Sequence, residues 1–86
     1  MKTIDSIKNA FKQGQRAEAI QACAALCATD PSNLEPKRLL ALMYVVLGNF
    51  AEAKVGYQAV LALRQNDGDA LFNLAVCERE LQHLDA

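Results

Sequence analysis

The chain has 86 residues, of which 52% are hydrophobic, and nine basic against ten acidic residues give a net charge of -1. This length forms a single domain with a small core, and the longest apolar runs, such as Leu39 to Leu47, are about half of what a membrane span needs. There is no basic cluster of the kind that binds nucleic acid. We therefore expect a soluble protein whose partners include neither nucleic acid nor a membrane.

Apolar residues recur at steps of three and four along the chain, which predicts amphipathic helices rather than strands. Helix breakers separate these segments at Gly14, Asp30-Pro31, Gly48 and Asn66 to Gly68. The predicted helices lie near residues 2–13, 16–29, 34–47, 50–64 and 68–82. Their predicted N-cap residues are Gln15, Asn33 and Asn49, and Asn49 has Glu52 three residues on, as in a capping box.

A six-residue phrase occurs twice, as GQRAEA from Gly14 and as GNFAEA from Gly48, 34 residues apart. The repeated phrase indicates a repeated helix–turn–helix unit, in which glycine ends the first helix with a positive φ. Ala19 and Ala53 occupy the same place in the two units. Small side chains there are predicted to let the second helix approach the first closely.

These residues resemble the tetratricopeptide repeat, a 34-residue unit with the pattern W-x2-L-G-x2-Y, then A-x3-F, then P. The matching positions are Leu40, Ala41, Tyr44, Gly48, Ala53 and Tyr57 in the middle unit, Gly14, Ala19 and Asp30-Pro31 in the first, and Leu71, Leu74 and Ala75 in the third. The departures are Thr3, Lys37 and Leu71 in the tryptophan slot, Gln65 for the second proline, Glu78 in the aromatic slot, and Leu26 and Val60 for alanine. None of them changes the period.

The resemblance implies an all-α fold, an α-α superhelix or helical-hairpin solenoid of five helices. We expect one domain over residues 1–86, with repeat 1 at about 1–33, repeat 2 at about 34–67 and a partial repeat 3 at about 68–86. Because the sequence stops part-way through a unit, we expect it to be part of a longer protein.

The resemblance also implies a concave, largely apolar groove, lined by the first helix of each unit, that holds a peptide or a partner helix. The groove positions are Ile4, Lys8 and Phe11 in the first unit, Arg38, Leu42, Val45 and Val46 in the second, and Phe72, Asn73, Val76 and Arg79 in the third.

Two interpretations of these residues remain open. The apolar ones could be buried against neighbouring helices or against a further part of a longer protein, and contact no partner of their own. Alternatively they form a trough in which Asn73 bonds a ligand backbone and Arg38 or Arg79 anchors a carboxylate. The family's clamp for chaperone tails does not fit, because Ile4 and Leu39 occupy two of its key positions.

The sequence contains no catalytic set or phosphate-binding loop, so we expect no enzyme activity and no cofactor. The three cysteines, Cys23, Cys27 and Cys77, fit neither a disulfide framework nor a metal site, and we interpret them as small core residues. Unpaired cysteines favour a reducing compartment, which predicts a cytoplasmic location.

Three functions stay open: an adaptor or scaffold module that binds a protein segment, a secretion-type chaperone, and the repeat region of a larger enzyme such as a glycosyltransferase. We also predict self-association as a homodimer through the incomplete third repeat. Its residues Leu71, Leu74, Ala75 and Leu84 would lack the second helix that covers them in a full unit. Glu78 makes that face more polar and argues against the dimer.

Overall fold

The computed structural model describes the backbone of residues 3–85 and the side chains of residues 3–83. Within that range the chain forms five α-helices: α1 (Ile4–Lys12), α2 (Arg16–Thr29), α3 (Leu34–Val46), α4 (Phe50–Leu63) and α5 (Gly68–Asp85). The predicted all-α fold is confirmed: α2 has the predicted bounds, α3, α4 and α5 begin at the predicted residues, and the other ends differ by one to three residues. Lys2, where the first helix was predicted to begin, lies outside the described residues. None of the described helices combines the length and the apolarity that crossing a bilayer requires.

The two glycines of the repeated phrase end α1 and α3 with the predicted left-handed backbone. Gly14 has φ 93° and Gly48 has φ 78°. After α3, the Gly48 N–H donates to the carbonyl of Val45 (3.0 Å) and the Asn49 N–H donates to that of Tyr44 (2.8 Å). These two bonds form a Schellman motif, and the same pair follows α1. The chain reverses within each hairpin because only glycine adopts this φ without strain.

The predicted helix caps are confirmed in part. The Asn33 side chain accepts a hydrogen bond from the Glu35 N–H at 3.1 Å and so caps α3. The side-chain caps predicted at Gln15 and Asn49 were wrong, because both residues have ψ between 60° and 70° rather than the extended backbone of most capping residues. A cap that the sequence analysis missed begins α1, where Thr3 and Ser6 exchange side-chain-to-backbone bonds of 3.0 and 3.1 Å.

Two clusters of buried side chains form the core, and α3 contributes to both. The first cluster joins α1, α2 and α3 and consists of Ile7, Ala19, Cys23, Leu39 and Met43. The second joins α3, α4 and α5 and consists of Ala41, Ala53, Tyr57, Val60, Ala70 and Cys77. Extensive contacts occur only between helices adjacent in sequence within the described chain, as expected for stacked hairpins.

The two hairpins that begin with α1 and α3 do not pack identically, because equivalent positions differ in size. Ala19 and Ala53 are both fully buried where the repeat places them. Four residues later the first unit has Cys23 and the second has Tyr57, both also buried. Tyr57 supplies the larger volume in the second cluster, where Ala41 stands in the place that the larger Ile7 has in the first.

Helices α3 and α4 lie very close together at Gly56. A Cβ built on this glycine would lie 2.9 Å from the Cβ and 3.4 Å from the Cα of Ala41. Real Cβ atoms do not approach this closely, and Ala41 has no flexible side chain that could move away. The sequence analysis did not single out Gly56, although it lies one residue before the aromatic position of the repeat.

We predict that Gly56→Ala destabilises the protein although alanine is the better helix former. The gain in helix propensity is at most about 1 kcal/mol, whereas overpacking costs about 1–3 kcal/mol, so a net loss is expected. Urea denaturation measures the change. Gly68→Ala is the matched control, because a Cβ there would meet no atom within 4 Å, and it should be neutral or stabilising. Equal effects of the two substitutions would contradict the close approach.

Candidate functional site

Two adjoining depressions run along α1, α3 and α5. The polar depression has a volume of about 330 Å³ and is lined by Ile4, Lys8, Glu35, Arg38, Leu39, Leu42, Tyr57, Asp69 and Asn73. The apolar depression has a volume of about 200 Å³ and is lined by Lys8, Phe11, Lys12, Leu39, Leu42, Met43 and Val46. Because the two share Lys8, Leu39 and Leu42, they form one continuous surface, which we call the groove.

Most of the positions predicted for a groove lie in its lining. Those that the structure brings together are Ile4, Lys8, Phe11, Arg38, Leu42, Val46 and Asn73. Four others lie outside the lining. Val45 is half-buried and packs against the second core cluster. Phe72 and Arg79 are exposed on α5 and Val76 is half-buried there, and none of the three reaches the lining. Val45 differs from Val46 because one residue turns a helix by about 100°, which carries it from the groove toward α4.

Several lining residues were not among the groove positions predicted from the sequence. Lys12, which was not among the predicted groove positions, lines the apolar depression one helical turn after Lys8. Glu35 and Asp69 bring two carboxylates to the polar depression, and Tyr57 reaches it from α4. The four-residue spacing of Lys8 and Lys12 was the available signal, since residues i and i+4 share one face of a helix.

The apolar side chains of the groove divide into a floor and a rim. Leu39 and Met43 are buried and form the floor, which is also part of the first core cluster. Leu42 is 45% exposed and Val46 is 60% exposed, and both stand at the surface of α3. The interpretation that the predicted groove residues are all buried against neighbouring helices therefore applies to Val45 but not to Leu42, Val46 or the 70% exposed Phe72.

Arg38 forms an ion pair with Asp67, which lies just before α5. The guanidinium Nε donates to Asp67 Oδ2 at 2.8 Å, and Nη2 donates to the same oxygen. The other carboxylate oxygen, Oδ1, accepts from the Ala70 N–H at 2.9 Å and so caps α5. Asp67 is only 4% exposed. Its carboxylate therefore joins α3 to the start of α5 directly beside the polar depression.

The surroundings of Asp67 favour its charged form. The hydrogen bond from Arg38 and then the Ala70 N–H lower the pKa of this carboxyl, and they outweigh burial, which raises it. The sequence analysis interpreted Asn66 to Gly68 only as a helix breaker. Asp67 follows Asn33, the cap of α3, by 34 residues, so the repeat itself was the signal for this second cap.

Asn73 and Tyr57 are two of the polar residues that line the polar depression. The Asn73 side-chain amide donates to the carbonyl of Asp69 at 2.9 Å, which leaves its Oδ1 as an acceptor. Tyr57 is almost fully buried, and this burial raises the pKa of its phenol to about 12. The phenol is therefore neutral at physiological pH.

The cysteines lie away from the groove. Cys23 and Cys77 are buried and Cys27 is half-buried, all as free thiols. The Cys23 thiol donates to the carbonyl of Pro36 at 3.1 Å, and burial, with a smaller effect of Cys27, raises its pKa to about 12. A thiol so protected from ionisation is a poor nucleophile. Across the described residues, no three side chains of histidine, cysteine, aspartate or glutamate are grouped so that they could hold a metal ion.

Comparison with known families agrees with this architecture. A family model of the tetratricopeptide repeat matches residues 10–67, which include the end of α1, all of α2, α3 and α4, and the whole turn before α5. The comparison with curated proteins found no match.

We predict that Asp67→Asn removes the ion pair but keeps a capping oxygen for the Ala70 N–H. A lowered carboxyl pKa stabilises the fold above the ordinary aspartate pKa of about 4, and this contribution disappears as the pH falls through the folded-state pKa. Urea denaturation should therefore show wild type more stable than Asp67→Asn at neutral pH, with the two converging in acid.

The control for the cap is Asp67→Ala, which removes both interactions and should be less stable than Asp67→Asn at neutral pH. A constant difference between wild type and Asp67→Asn throughout the acid range would show that the ion pair does not stabilise the fold.

Proposed function

The chain belongs to the tetratricopeptide repeat family, and we propose that it is a protein-interaction module that holds a peptide segment or a partner helix in the groove. Repeats of this family generally mediate protein–protein interaction and are typically not catalytic. The observation that carries the proposal is the apolar depression, where exposed Leu42 and Val46 rise beside a floor of buried Leu39 and Met43. Exposed apolar groups around a preformed depression are typical of interaction sites.

The polar depression supports the same function by offering groups for a peptide backbone. Asn73 keeps a free side-chain oxygen, which suits a backbone N–H of an extended segment. Arg38 already neutralises Asp67, so its role here is to hold α5 in place rather than to supply the main anchor for a ligand carboxylate. Phe72, Val76 and Arg79 would extend the surface along α5 for a longer ligand.

The two alternative functions from the sequence make different use of the groove. A secretion-type chaperone would hold an apolar segment of its client in this groove, and the proposed module includes that use. The repeat region of a larger enzyme would depend on chemistry in another part of such a protein. The free thiols support a cytoplasmic location for each of them.

The groove is tested by selecting binders from a library of short random peptides displayed on phage. We predict that Leu42→Ser combined with Val46→Ser loses at least about tenfold in affinity for peptides that wild type selects, because truncating a central apolar anchor costs about 2 kcal/mol or more. The free energy of unfolding should change by less than about 1 kcal/mol, since both side chains are exposed. Val45 is not substituted in this test, because it is half-buried and its replacement would lower the stability of the fold as well as any binding.

Val55→Ser combined with Leu63→Ser is the matched control, since both residues are exposed on α4 outside the groove. This control should bind the selected peptides as wild type does. Equal affinity of the groove variant and the control would refute the proposed site.

We also propose that two copies associate through α5. Leu71 is 51% exposed and Phe72 is 70% exposed, on neighbouring positions of this helix, and Ala75 one turn later is exposed as well. The side chain of Leu84, which was expected to join this face, lies outside the described residues. Leu74 is half-buried and packs against the second core cluster, so it belongs to the fold more than to a free surface.

Sedimentation equilibrium over a wide concentration range tests the association. We predict a monomer–dimer equilibrium for wild type and a monomer for Leu71→Lys. The lysine removes an apolar contact between the two copies, and because residue 71 is exposed the substitution costs little folding stability. Val55→Lys is the control, because Val55 is an exposed residue of α4, and this variant should dimerise as wild type does. A wild type that stays monomeric at every concentration would refute the homodimer.

A further inference from the structure

The α1 edge of the groove is basic. Lys8 and Lys12 line the apolar depression one turn apart, and both are exposed. The guanidinium of Arg16 lies 5.4 Å from the ring centroid of Phe11, which forms part of the same wall. This distance is that of a cation–π contact, which keeps the Arg16 charge beside the depression.

These three cations have no carboxylate partner in the described part of the chain. Among residues 3–83, the ion pair between Arg38 and Asp67 is the single one within 4.0 Å. The residues that line the apolar depression include two lysines and no acidic side chain. Among the described side chains, no carboxylate therefore pairs with the positive charge along this edge, even though the whole chain has a net charge of -1.

The opposite end of the groove has the reverse charge. Glu35 and Asp69 line the polar depression, where the Arg38 charge is compensated by Asp67, so the two carboxylates there face only the shared Lys8 as a further cation. The groove thus changes from basic beside the apolar depression to acidic near the start of α5. A bound segment experiences attraction or repulsion according to which charge it brings to each end.

From this charge distribution we infer that the partner segment carries a large apolar side chain with acidic residues next to it. This inference rests on the proposed function. The apolar side chain would occupy the depression of about 200 Å³ between Phe11, Leu42 and Val46. That volume is sufficient, since a cavity of about 150 Å³ holds a benzene ring in another protein. The adjacent carboxylates would lie against Lys8 and Lys12, and any basic residue of the segment would lie toward Glu35 and Asp69.

This arrangement differs from a clamp for a carboxylate terminus. The cations stand at the rim of an apolar depression on α1, and the polar depression contains acidic side chains that would repel a second carboxylate. The segment is therefore recognised by an internal pattern of apolar and acidic side chains, and a free C-terminus is not required.

The same random peptide library tests the inference. Peptides selected by wild type should be enriched in aspartate and glutamate within a few positions of a large apolar residue. The charge-reversed variant Lys8→Glu with Lys12→Glu should bind these peptides at least about tenfold more weakly and should instead select peptides with lysine or arginine at those positions. Circular dichroism and denaturation verify that the variant is folded, as expected for two exposed side chains.

Lys37→Glu with Lys54→Glu is the matched control, since it makes the same change in net charge at two lysines outside the lining of the groove. It should select the same acidic peptides as wild type. Binding to one selected peptide should also weaken as ionic strength rises from about 0.01 to 1 M, which shortens the Debye length from about 30 to 3 Å.

The outcomes separate this inference from the proposed function. Selected peptides could share an apolar residue but show no enrichment in acidic residues, or an enrichment in basic ones. Either result would overturn the inference and leave the proposed binding groove intact. The same applies if the charge-reversed variant binds the selected acidic peptides as wild type does. If wild type selects no peptide, or if Leu42→Ser with Val46→Ser leaves selection unchanged, the proposed groove itself fails.

Discussion

The fold depends on α3, which must fill two cores at once. A single hairpin of two short helices has too little apolar surface to fold alone, so each one is stabilised by its neighbour. Leu39 and Met43 on one side of α3 complete the cluster with α1 and α2, while Ala41 on another side meets α4. What remains of the helix surface is the strip with Leu42 and Val46, which faces solvent and forms the groove.

This division of α3 ties the groove to the stability of the protein. The floor of the apolar depression is made of Leu39 and Met43, which are core residues, so its shape is fixed by the packing of α1 and α2 behind it. A floor of this kind is rigid because packed interiors have few voids and side chains in fixed rotamers. Rigidity favours binding, since less freedom is lost when a partner is held.

The polar end of the groove is held by a different interaction. Asp67 caps α5 through one carboxylate oxygen and accepts from Arg38 through the other, so the start of α5 is fixed to α3 at the point where the two repeats meet. A buried carboxylate requires such complete pairing, because a charge removed from water without partners is strongly destabilising. Position 67 thus combines a local role, the helix cap, with a long-range one, the spacing of two repeats.

The repeat also explains why Asp67 lies where it does. Asn33 caps α3 and Asp67 caps α5, 34 residues apart, but only the second residue is charged. Asparagine at position 33 needs no cation, whereas aspartate at position 67 is paired with Arg38. Both side chains therefore accept a hydrogen bond from the first turn of their helix, but only Asp67 also needs a cation, Arg38, from the preceding repeat.

The sequence by itself determined the five helices, the 34-residue period and the positive φ of Gly14 and Gly48, because these follow from local periodicity and from the backbone freedom of glycine. It also located most of the groove positions through the repeat pattern. Only the tertiary structure decided that Val46 faces the groove while Val45 packs inward, that Lys12 joins Lys8 at its edge, and that Arg38 pairs with a residue 29 positions away. Helical periodicity relates residues to the axis of their own helix, whereas these contacts depend on the crossing angles and distances between helices, which side-chain packing sets.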